Sequence, residues 1–527
     1  MGVDFGRVGR GPGFAARDVG RGPNTVTSGR PIFDDLSAFS PRGPYQLAPL
    51  RFDVLPDASD RVILTSEAGD FLITDRDALG QLVDGRLDLE NELAEALVAR
   101  QMLFVGDAAS QAVSAVRYRS RKSFIRGGPS LHLFVVTLRC DHSCPYCQVS
   151  RQADGADRRF DMTQETAAGA IDLLFSSPSP NLTVEFQGGE PLLNFDMIRW
   201  ITEKIATRNL IEKREITFAI TTTLHHADDG MLAFMREHKF EVSTSLDGPA
   251  ELHNLNRPLK SGDSYARTTD GIERARAVLG PDKISALVTL TTESLKAPEA
   301  IIDSHLTLGF RSIFLRPLSP FGFAIKAKRR IGYQVDQFLE FYGRAIAYMI
   351  KLNGRGIEVS EAYASMLLAK IMTPYAQGYV DLRSPSGAGL GALVYNYDGF
   401  VYPSDEARML AEMGDRSLAL CRATDSYAAL MASAPMQMLL LSGVAESLPG
   451  CSDCAYLPYC GADPIHELAT QGDPVGHRAF SDHCRRHMGI FRLLFRYLAS
   501  GDHEVLGILR RWATQYMGIE PGQAAPR

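Results

Sequence analysis

The chain has 527 residues, of which 45% are apolar and 22% charged, and its formal net charge is −6. This length suggests about three or four domains, and the core is large enough that folding needs neither disulfides nor metal. The nearly balanced charge does not favour a nucleic acid or an anionic membrane surface as partner. The sequence also has no apolar run long enough to span a membrane and no apolar segment typical of a secretory signal. Seven of the eight cysteines lie in two groups, which is typical of metal ligation in a reducing compartment, so we expect a cytoplasmic protein.

The N-terminal part of the chain divides into a tail and a small module. Residues 1–44 are rich in Gly, Arg and Pro, which predicts a disordered tail; a basic arm that grips a partner and a misassigned start codon are the alternatives. Residues 45–110 predict an α+β module in which three short strands, Leu50–Leu55, Arg61–Thr65 and Asp70–Ile73, precede two helices.

Residues 130–325 alternate strand and helix six times, which predicts an α/β fold with a parallel sheet that closes partly as a (β/α)6 TIM-like barrel. Active sites in such folds lie beyond the C-terminal ends of the strands, where the motifs below fall. A helical connector is expected at 326–385, a cysteine-rich domain that contains a β-hairpin at 386–490, and helices at 491–527.

The first cysteine group follows the first predicted barrel strand. Cys140, Cys144 and Cys147 have the spacing C-x3-C-x2-C, and three thiolates can bind three irons of a [4Fe-4S] cluster while the fourth iron stays open for a ligand. Zinc with His142 as fourth ligand is the alternative, although no further pair of zinc ligands lies nearby in the sequence.

This motif, with Tyr146 before the third cysteine, resembles that of the radical S-adenosylmethionine (SAM) superfamily. The resemblance implies that the open iron chelates SAM and that reductive cleavage of SAM yields a 5′-deoxyadenosyl radical, which removes a hydrogen atom from the substrate. It also implies that Tyr146 belongs to the cofactor-binding residues.

Further cofactor-binding residues follow the second predicted strand. Gly188, Gly189 and Glu190 resemble the Gly-Gly-Glu-Pro motif of the family, which implies that they hold the amino end of SAM. Glycines independently allow the backbone to approach a ligand closely. Thr223 stands where the family often has Asn.

The fourth predicted strand ends in Ser-Leu-Asp-Gly-Pro, which resembles the peptide-modifying branch of the superfamily. The resemblance implies that Ser245 contacts the ribose of SAM and that Arg267 reaches its carboxylate. Asp247 is a candidate catalytic acid or base that faces the substrate; a purely structural turn at Asp247-Gly248 is the alternative.

The second cysteine group consists of four residues: Cys451, Cys454, Cys460 and Cys484. Tetrahedral zinc is one interpretation of four such thiolates, and an iron–sulfur cluster is the other. The stretch resembles the SPASM extension, which in full form holds two auxiliary [4Fe-4S] clusters. Ser404 and Pro464 occupy cysteine positions of the first auxiliary cluster, so we expect one auxiliary [4Fe-4S] cluster.

The role of that cluster follows from its ligand count. Four protein thiolates leave no open iron, which favours electron relay or a structural role. Cys421 is expected to be a buried apolar residue, and His483 and His487 are expected at exposed helix positions.

The layout resembles the maturases of the His-Xaa-Ser repeat peptide system, of the HxsB type, through the stretches SLDGPAELHNLNRP, FLRPLSPFGFA and YNYDGFVYPSDEARML. This implies a precursor peptide, a second radical SAM maturase and an electron donor such as flavodoxin or ferredoxin as partners. The N-terminal module is similar to domains that bind a leader peptide as an added strand; a structural cap on the barrel is the alternative.

The sequence therefore predicts a radical SAM peptide maturase that cross-links a ribosomally synthesised precursor. Two alternatives remain open: another SPASM-type activity such as formylglycine formation, and a non-catalytic chaperone that binds the precursor.

Overall fold

The computed structural model describes residues 44–55, 60–106, 109–260, 262–375 and 378–518. The tail that the sequence predicts at 1–44 lies outside these residues, apart from Pro44.

The N-terminal region forms a small three-stranded antiparallel sheet with helices beside it, in strand order β2-β3-β4, and a two-stranded pair, β1-β5. Its elements are β1 (Gln46–Leu47), β2 (Leu50–Val54), β3 (Arg61–Ser66), β4 (Phe71–Asp75), α1 (Arg76–Val83), α2 (Glu92–Ala99), β5 (Leu103–Phe104), α3 (Ala109–Arg121) and α4 (Phe124–Gly127). The three predicted strands are found within one or two residues of their expected bounds.

Strand and helix alternate through the middle of the chain. The elements are β6 (Leu131–Thr137), β7 (Arg139–Cys140), β8 (Gln152–Ala153), α5 (Gln164–Ser176), β9 (Asn181–Gly188), α6 (Phe195–Glu212), β10 (Glu215–Thr222), α7 (Asp229–Glu237), β11 (Glu241–Ser245), α8 (Ala250–Asn256), α9 (Ser264–Leu279), β12 (Ile284–Thr289), α10 (Pro298–Thr307) and β13 (Ser312–Arg316). Strands β6 and β9 to β13 are parallel neighbours, which confirms the predicted partial α/β barrel.

The C-terminal part is mainly helical. Its elements are α11 (Phe323–Ile331), α12 (Val335–Gly354), β14 (Ser360–Glu361), α13 (Ala362–Met372), β15 (Ala392–Tyr395), β16 (Phe400–Tyr402), α14 (Asp405–Glu412), β17 (Cys421–Arg422), α15 (Tyr427–Met431), α16 (Ala434–Ser442), α17 (Pro464–Gln471), α18 (Asp482–Leu498) and α19 (His503–Tyr516). The predicted hairpin is present, with Asp398 and Gly399 between β15 and β16.

The hairpin extends the barrel sheet. Strand β15 runs parallel to β6 and pairs with it, so that the ten strands have the order β14-β13-β12-β11-β10-β9-β6-β15-β16-β17. The sequence pattern did not predict this pairing, because a strand's local pattern does not specify a partner about 260 residues away.

Two large cores hold the parts together. One fills the space between β6, β9, β10 and β11 and their helices, and the other joins β12 and β13 to α12, α13, α18 and α19. The second core also includes Leu55 and Ile63 of the N-terminal module and Tyr456 of the cysteine-rich region, so these regions bury apolar surface together. Within the described residues no helix is both long and apolar enough to cross a membrane.

Candidate cofactor sites at the barrel edge and in the C-terminal region

The first cysteine group lies in a loop at the C-terminal end of β6. Strands β7 and β8 pair in parallel and close this loop. The backbone N–H of Cys147 donates to the carbonyl of Cys144 at 3.1 Å, and Phe323 donates to the carbonyl of Cys147 at 2.8 Å. Gly322 packs so tightly that an added Cβ would lie 2.3 Å from the carbonyl oxygen of Gln148. The loop is therefore held both by its own turns and by the start of α11.

The three thiols of this loop form a donor set suited to metal ions. Cys140 and Cys144 are buried, and electrostatic interactions link Cys140 with Cys144 and Cys144 with Cys147. Burial raises the pKa of Cys144 to about 12, so its thiolate is stable only beside a compensating cation. Iron supplies that charge, and the residues present therefore fit a cluster held by three thiolates.

A polar cluster surrounds Asp141, beside the first cysteine. His142 Nδ1 and His226 Nε2 lie 2.8 and 3.1 Å from the carboxylate oxygens, and His225 Nδ1 lies 3.6 Å away. Burial alone would raise the pKa of Asp141, but the three imidazoles hold it well below its usual range. The other ring nitrogen of His142 bonds Ser264 at 2.9 Å, so both of its nitrogens have protein partners and zinc ligation by His142 is disfavoured.

Asp247 lies in a buried network behind the cysteine loop. Its Oδ2 accepts a 2.7 Å hydrogen bond from Tyr146, whose hydroxyl also accepts one at 2.7 Å from Arg257. Its Oδ1 accepts from the backbone N–H of Thr289 at 3.2 Å. Burial raises the pKa of Asp247, and Arg257 opposes that shift. This carboxyl has no exposed surface and connects the loop to β12, an arrangement typical of a positioning residue.

The Gly-Gly-Glu segment packs directly against the strand that leads to Cys140. An added Cβ at Gly188 would lie 2.2 Å from the carbonyl oxygen of Thr137, and one at Gly189 would lie 2.4 Å from that of Arg139. Glycine is therefore needed at both positions because the neighbouring backbone approaches too closely for a side chain. Protein backbone occupies the space that a side chain at either position would need.

Glu190 is fully buried and anchors the next strand. Its two carboxylate oxygens accept from Thr222 Oγ1 at 2.6 Å and from Thr223 Oγ1 and N, both at 2.8 Å. Thr223, at the position where Asn was expected, thus bonds the glutamate of the Gly-Gly-Glu motif. The two threonines tie β9 to β10 at the edge where the cysteine loop lies.

The remaining two predicted cofactor-binding residues lie on neighbouring elements. Ser245 is the last residue of β11 and is partly buried. Arg267 is exposed in the first turn of α9. The hydrogen bond to Asp141 raises the pKa of His226, and the charge of Arg267 opposes that rise. Arg267 is therefore near the polar cluster around Asp141, with its side chain at the surface.

The barrel interior contains a polar group that the sequence analysis missed. Glu185 accepts from Gln187 at 2.8 Å and from Thr221 at 2.9 Å. Burial raises the pKa of Glu185, and these hydrogen bonds and Arg316 only partly oppose that rise. The sequence signal for this group is the alternation in β9: Glu185 lies between the buried Val184 and Phe186 and so points to the opposite face of the sheet.

The second cysteine group lines one cavity. Cys451, Cys454, Cys460 and Cys484 all contribute to it, together with apolar side chains such as Met488 and Phe491. Burial raises the pKa of Cys451 to about 11 and that of Cys460 further, so these thiolates also need a compensating cation. Four converging thiols fit either a [4Fe-4S] cluster or zinc.

The expectation that His483 and His487 are exposed was wrong. Both are 2% exposed, because α18 turns this face towards α17 and α13. The local pattern was misleading because α18 is strongly amphipathic and its buried face includes these imidazoles. Cys421 is half-buried in β17 and packs against the first core.

Comparisons with known proteins agree with this geometry. Residues 134–304 match the family model of the radical SAM superfamily. An uncharacterized protein of Methanothermobacter thermautotrophicus is 29% identical over 41% of this chain and 81% of its own length. A cysteine-type anaerobic sulfatase-maturating enzyme of Clostridium perfringens is 24% identical over 53% of this chain and 75% of its own length.

A similarity in structure extends further along the chain. The solved structure of native anSMEcpe with bound AdoMet has a TM-score of 0.59 and 18% identity, and the alignment covers 72% of this chain and 99% of that one. A partial α/β barrel with a cysteine loop at its C-terminal edge defines the class. Residues 134–304 match the radical SAM superfamily, and the protein is an enzyme that carries a domain of this kind. The family implies a [4Fe-4S] cluster and SAM as cofactors.

Proposed function

We propose that this enzyme is a maturase that modifies, and in particular cross-links, a ribosomally synthesised peptide of the His-Xaa-Ser type. The observation that carries the proposal is the pairing of a three-thiol loop at the barrel edge with a separate four-thiol cavity in one chain. The sulfatase-maturating relatives act on proteins by name, and a solved relative, native anSMEcpe, has both AdoMet and the Cp18Cys peptide bound, at 18% identity.

The proposed SAM site is built from the cysteine loop and its neighbours. Cys140, Cys144 and Cys147 would hold a [4Fe-4S] cluster that, with SAM, supplies hydrogen-atom abstraction by a 5′-deoxyadenosyl radical. The other proposed SAM-binding residues are Gly188, Gly189, Glu190, Ser245, Arg267 and Tyr146.

The chain's own residues give this site its shape. Tyr146 and Asp247 hold the cysteine loop against β12 through buried hydrogen bonds. Glu190 holds the ends of β9 and β10 together through hydrogen bonds. Three imidazoles lie close to the carboxylate of Asp141, beside the loop. A rigid polar edge of this kind orients a charged cofactor because its dipoles are set before the ligand arrives.

The second site would hold one auxiliary [4Fe-4S] cluster on Cys451, Cys454, Cys460 and Cys484. The residues fit this group, since the thiols converge in a largely apolar cavity where burial disfavours uncompensated thiolates. Four protein ligands leave no open iron, so the proposed role is to accept the electron that cross-linking releases, or to stabilise the domain.

The N-terminal module is the proposed recognition site for the precursor. A groove of about 880 Å³ runs between the β1 segment and α3, with Leu47, Phe104 and Tyr118 on its walls. The module is bonded to the cysteine-rich region: Thr65 Oγ1 donates to the carbonyl of Ala455 at 2.7 Å, and Tyr456 donates to Asp53 at 2.8 Å. A peptide in the groove would therefore be anchored to the part of the enzyme that also carries the auxiliary site.

The test uses the reconstituted full chain under anaerobic conditions with SAM, a flavodoxin or dithionite as reductant, and a synthetic peptide with His-Xaa-Ser repeats. The expected result is 5′-deoxyadenosine together with a peptide that has lost two hydrogen atoms and resists fragmentation between two linked residues. If no product forms with this chain alone, the reaction is repeated with a second radical SAM maturase added.

Two outcomes would contradict the proposal. An aldehyde on a single residue, trapped with a hydrazide, would indicate formylglycine formation. Peptide binding without any 5′-deoxyadenosine would indicate a chaperone.

A further inference from the structure

The inner face of the partial barrel is lined by side chains that are only partly buried. Along β9 to β13, every second side chain is buried against the outer helices, and the alternate ones, which point inward, keep some exposed surface. We call this lining the inner barrel face; it includes Glu185, Gln187, Thr221, Ser243, Phe314 and Arg316. Most of these side chains are polar, so the barrel surrounds an open polar space instead of a packed apolar core.

Glu185 presents a free carboxylate oxygen to this space. Its Oε1 accepts from Gln187 at 2.8 Å and from Thr221 at 2.9 Å, whereas its Oε2 has no hydrogen-bond partner in the part of the chain that the structure describes. Glu185 lies three residues before Gly188, which ends β9, and therefore about 10 Å below the edge where the cysteine loop lies. One oxygen of this carboxylate is available to a ligand that enters the barrel from that edge.

The charges around Glu185 do not balance. Burial raises the pKa of Glu185 and of Glu406, in the first turn of α14, and the charge of Arg316 only partly opposes both rises. Asp405 is paired with the fully buried Arg408 at 2.5 Å. Two carboxylates therefore share one guanidinium, and this group carries an excess of one negative charge.

Arg316 connects the inner barrel face to the cysteine loop. Gln148 directly follows Cys147, and its side-chain carbonyl accepts from Nη2 and Nη1 of Arg316 at 2.9 and 3.2 Å in the amide orientation that hydrogen bonding requires. A ligand bound between Glu185 and Arg316 would therefore lie beside the loop that carries the three thiols.

Three aromatic rings form a wall at the β13 side of the same space. Phe314, two residues before Arg316, stacks on Tyr363 and on Tyr379 with 6.1 Å between centroids in each pair, and the two tyrosines stack on each other at 6.2 Å. Tyr379 is 49% exposed, and an electrostatic interaction links it with Arg316. The face of an aromatic ring attracts cations, as a carboxylate does. The aromatic wall and the free carboxylate thus favour the same kind of ligand.

We propose that the inner barrel face binds a cationic side chain of the peptide substrate and that Glu185 selects it. The inference rests on the proposed function, under which this side chain is the imidazole of a His-Xaa-Ser repeat. A protonated imidazole donates to Oε2 of Glu185 while its ring packs on the aromatic wall, and its charge balances the excess of carboxylate. Glu185 is therefore a specificity-determining residue.

The experiment measures the binding of fluorescent synthetic repeat peptides, without a leader, to the reconstituted full chain with SAM and without reductant. One peptide keeps its histidines, one has each His replaced by Gln, and one has each His replaced by Glu. The wild-type protein should bind the His peptide about 10- to 100-fold more tightly than the Gln peptide, because a hydrogen bond between two charged groups is lost. It should bind the Glu peptide least, since like charges repel.

Variants assign the preference to named residues. Glu185→Gln should bind the His and Gln peptides equally and the Glu peptide better than the wild-type protein does, with unchanged iron content and SAM binding. Tyr379→Leu should weaken binding of the His peptide about 3- to 10-fold, whereas Tyr379→Phe keeps the ring and should not. Glu165→Gln, an exposed glutamate on α5 outside the barrel, is the matched control and should keep the full preference.

Three results would overturn the proposal: no detectable binding of the His peptide to the wild-type protein at millimolar concentration, equal affinity of the wild-type protein for the His and Gln peptides, or an unchanged His preference in Glu185→Gln. Turnover of the same samples with reductant tests the proposed function separately. A His preference that depends on Glu185 supports the cationic site even where no cross-link forms. Cross-linking without this preference would support the proposed function and overturn the role of Glu185.

Discussion

The two cysteine sites of this enzyme lie in surroundings of opposite character. The barrel loop offers three thiols beside charged and polar groups, with Asp141, Asp247 and Arg257 all close to it. The C-terminal cavity offers four thiols among mostly apolar side chains. Three ligands leave an iron open and a polar edge can bind a charged cofactor, whereas four ligands in an apolar cavity close the site. Under the proposed function, radical chemistry would start at the first site, and the second would serve electron transfer or stability.

The largest expected effect comes from breaking the open site. Cys144→Ala should reduce formation of 5′-deoxyadenosine to background and lower the iron content by about four per chain, because two thiolates do not hold the cluster. The measurement is anaerobic turnover with SAM together with iron and sulfide analysis. Cys421→Ala is the matched control and should change neither quantity.

Removing one ligand of the four-thiol site should separate SAM cleavage from peptide cross-linking. Cys460→Ala is expected to lower the iron content by about four per chain and to abolish the cross-linked peptide, while 5′-deoxyadenosine is still formed. Liquid chromatography of both products measures this. Equal loss of 5′-deoxyadenosine and of peptide product would indicate that the second site supports the fold of the whole enzyme.

Substitutions in the buried network behind the cysteine loop should lower the stability of the fold, and the loss should be larger when a charge is removed. Asp247→Asn removes the negative charge that the Tyr146 hydroxyl links to the buried Arg257 and should cost about 3–5 kcal/mol. Tyr146→Phe removes two hydrogen bonds but no charge and should cost about 1–3 kcal/mol. Thermal melting of the reconstituted protein gives the order. If Asp247→Asn keeps its melting temperature and its SAM cleavage but forms no peptide product, the carboxyl acts on the substrate.

The smallest effect concerns the pH dependence at Asp141. The hydrogen bond to Asp141 raises the pKa of His226 in the folded state, despite its partial burial. A raised pKa means that His226 stabilises the fold below its unfolded-state pKa and that this contribution disappears as pH rises through the folded-state pKa. The difference in melting temperature between the wild-type protein and His226→Gln should therefore be larger at pH 5.5 than at pH 8.5. An equal difference at both pH values would contradict a charged His226.

Much of the fold could be predicted because its signals are local. Period-two alternation predicted β2, β3 and β4, and the repeated strand–helix pattern predicted the six parallel strands of the barrel. The pairing of β15 with β6 was not predictable in this way, since it depends on a partner that is distant in the sequence. The same limit applies to the shared core of the N-terminal module and α18.

For the sites, the sequence indicated the residue types but not their surroundings. It identified both cysteine groups, because thiol spacing alone restricts what the ligands can hold. It did not indicate that Tyr146 bonds Asp247, that Thr223 bonds Glu190 or that Gly188 packs on Thr137.

The sequence by itself determined the chemistry that this protein can carry: two groups of thiols, the residues around the first, and the alternation that builds a barrel. Only the tertiary structure decided which of these residues are fixed in buried hydrogen bonds, that the four C-terminal thiols share one cavity, and that His483 and His487 meet Asp381. The physical reason is that spacing along the chain specifies neighbours within a turn or a strand. Burial and charge balance arise from segments that pack together only in the folded chain.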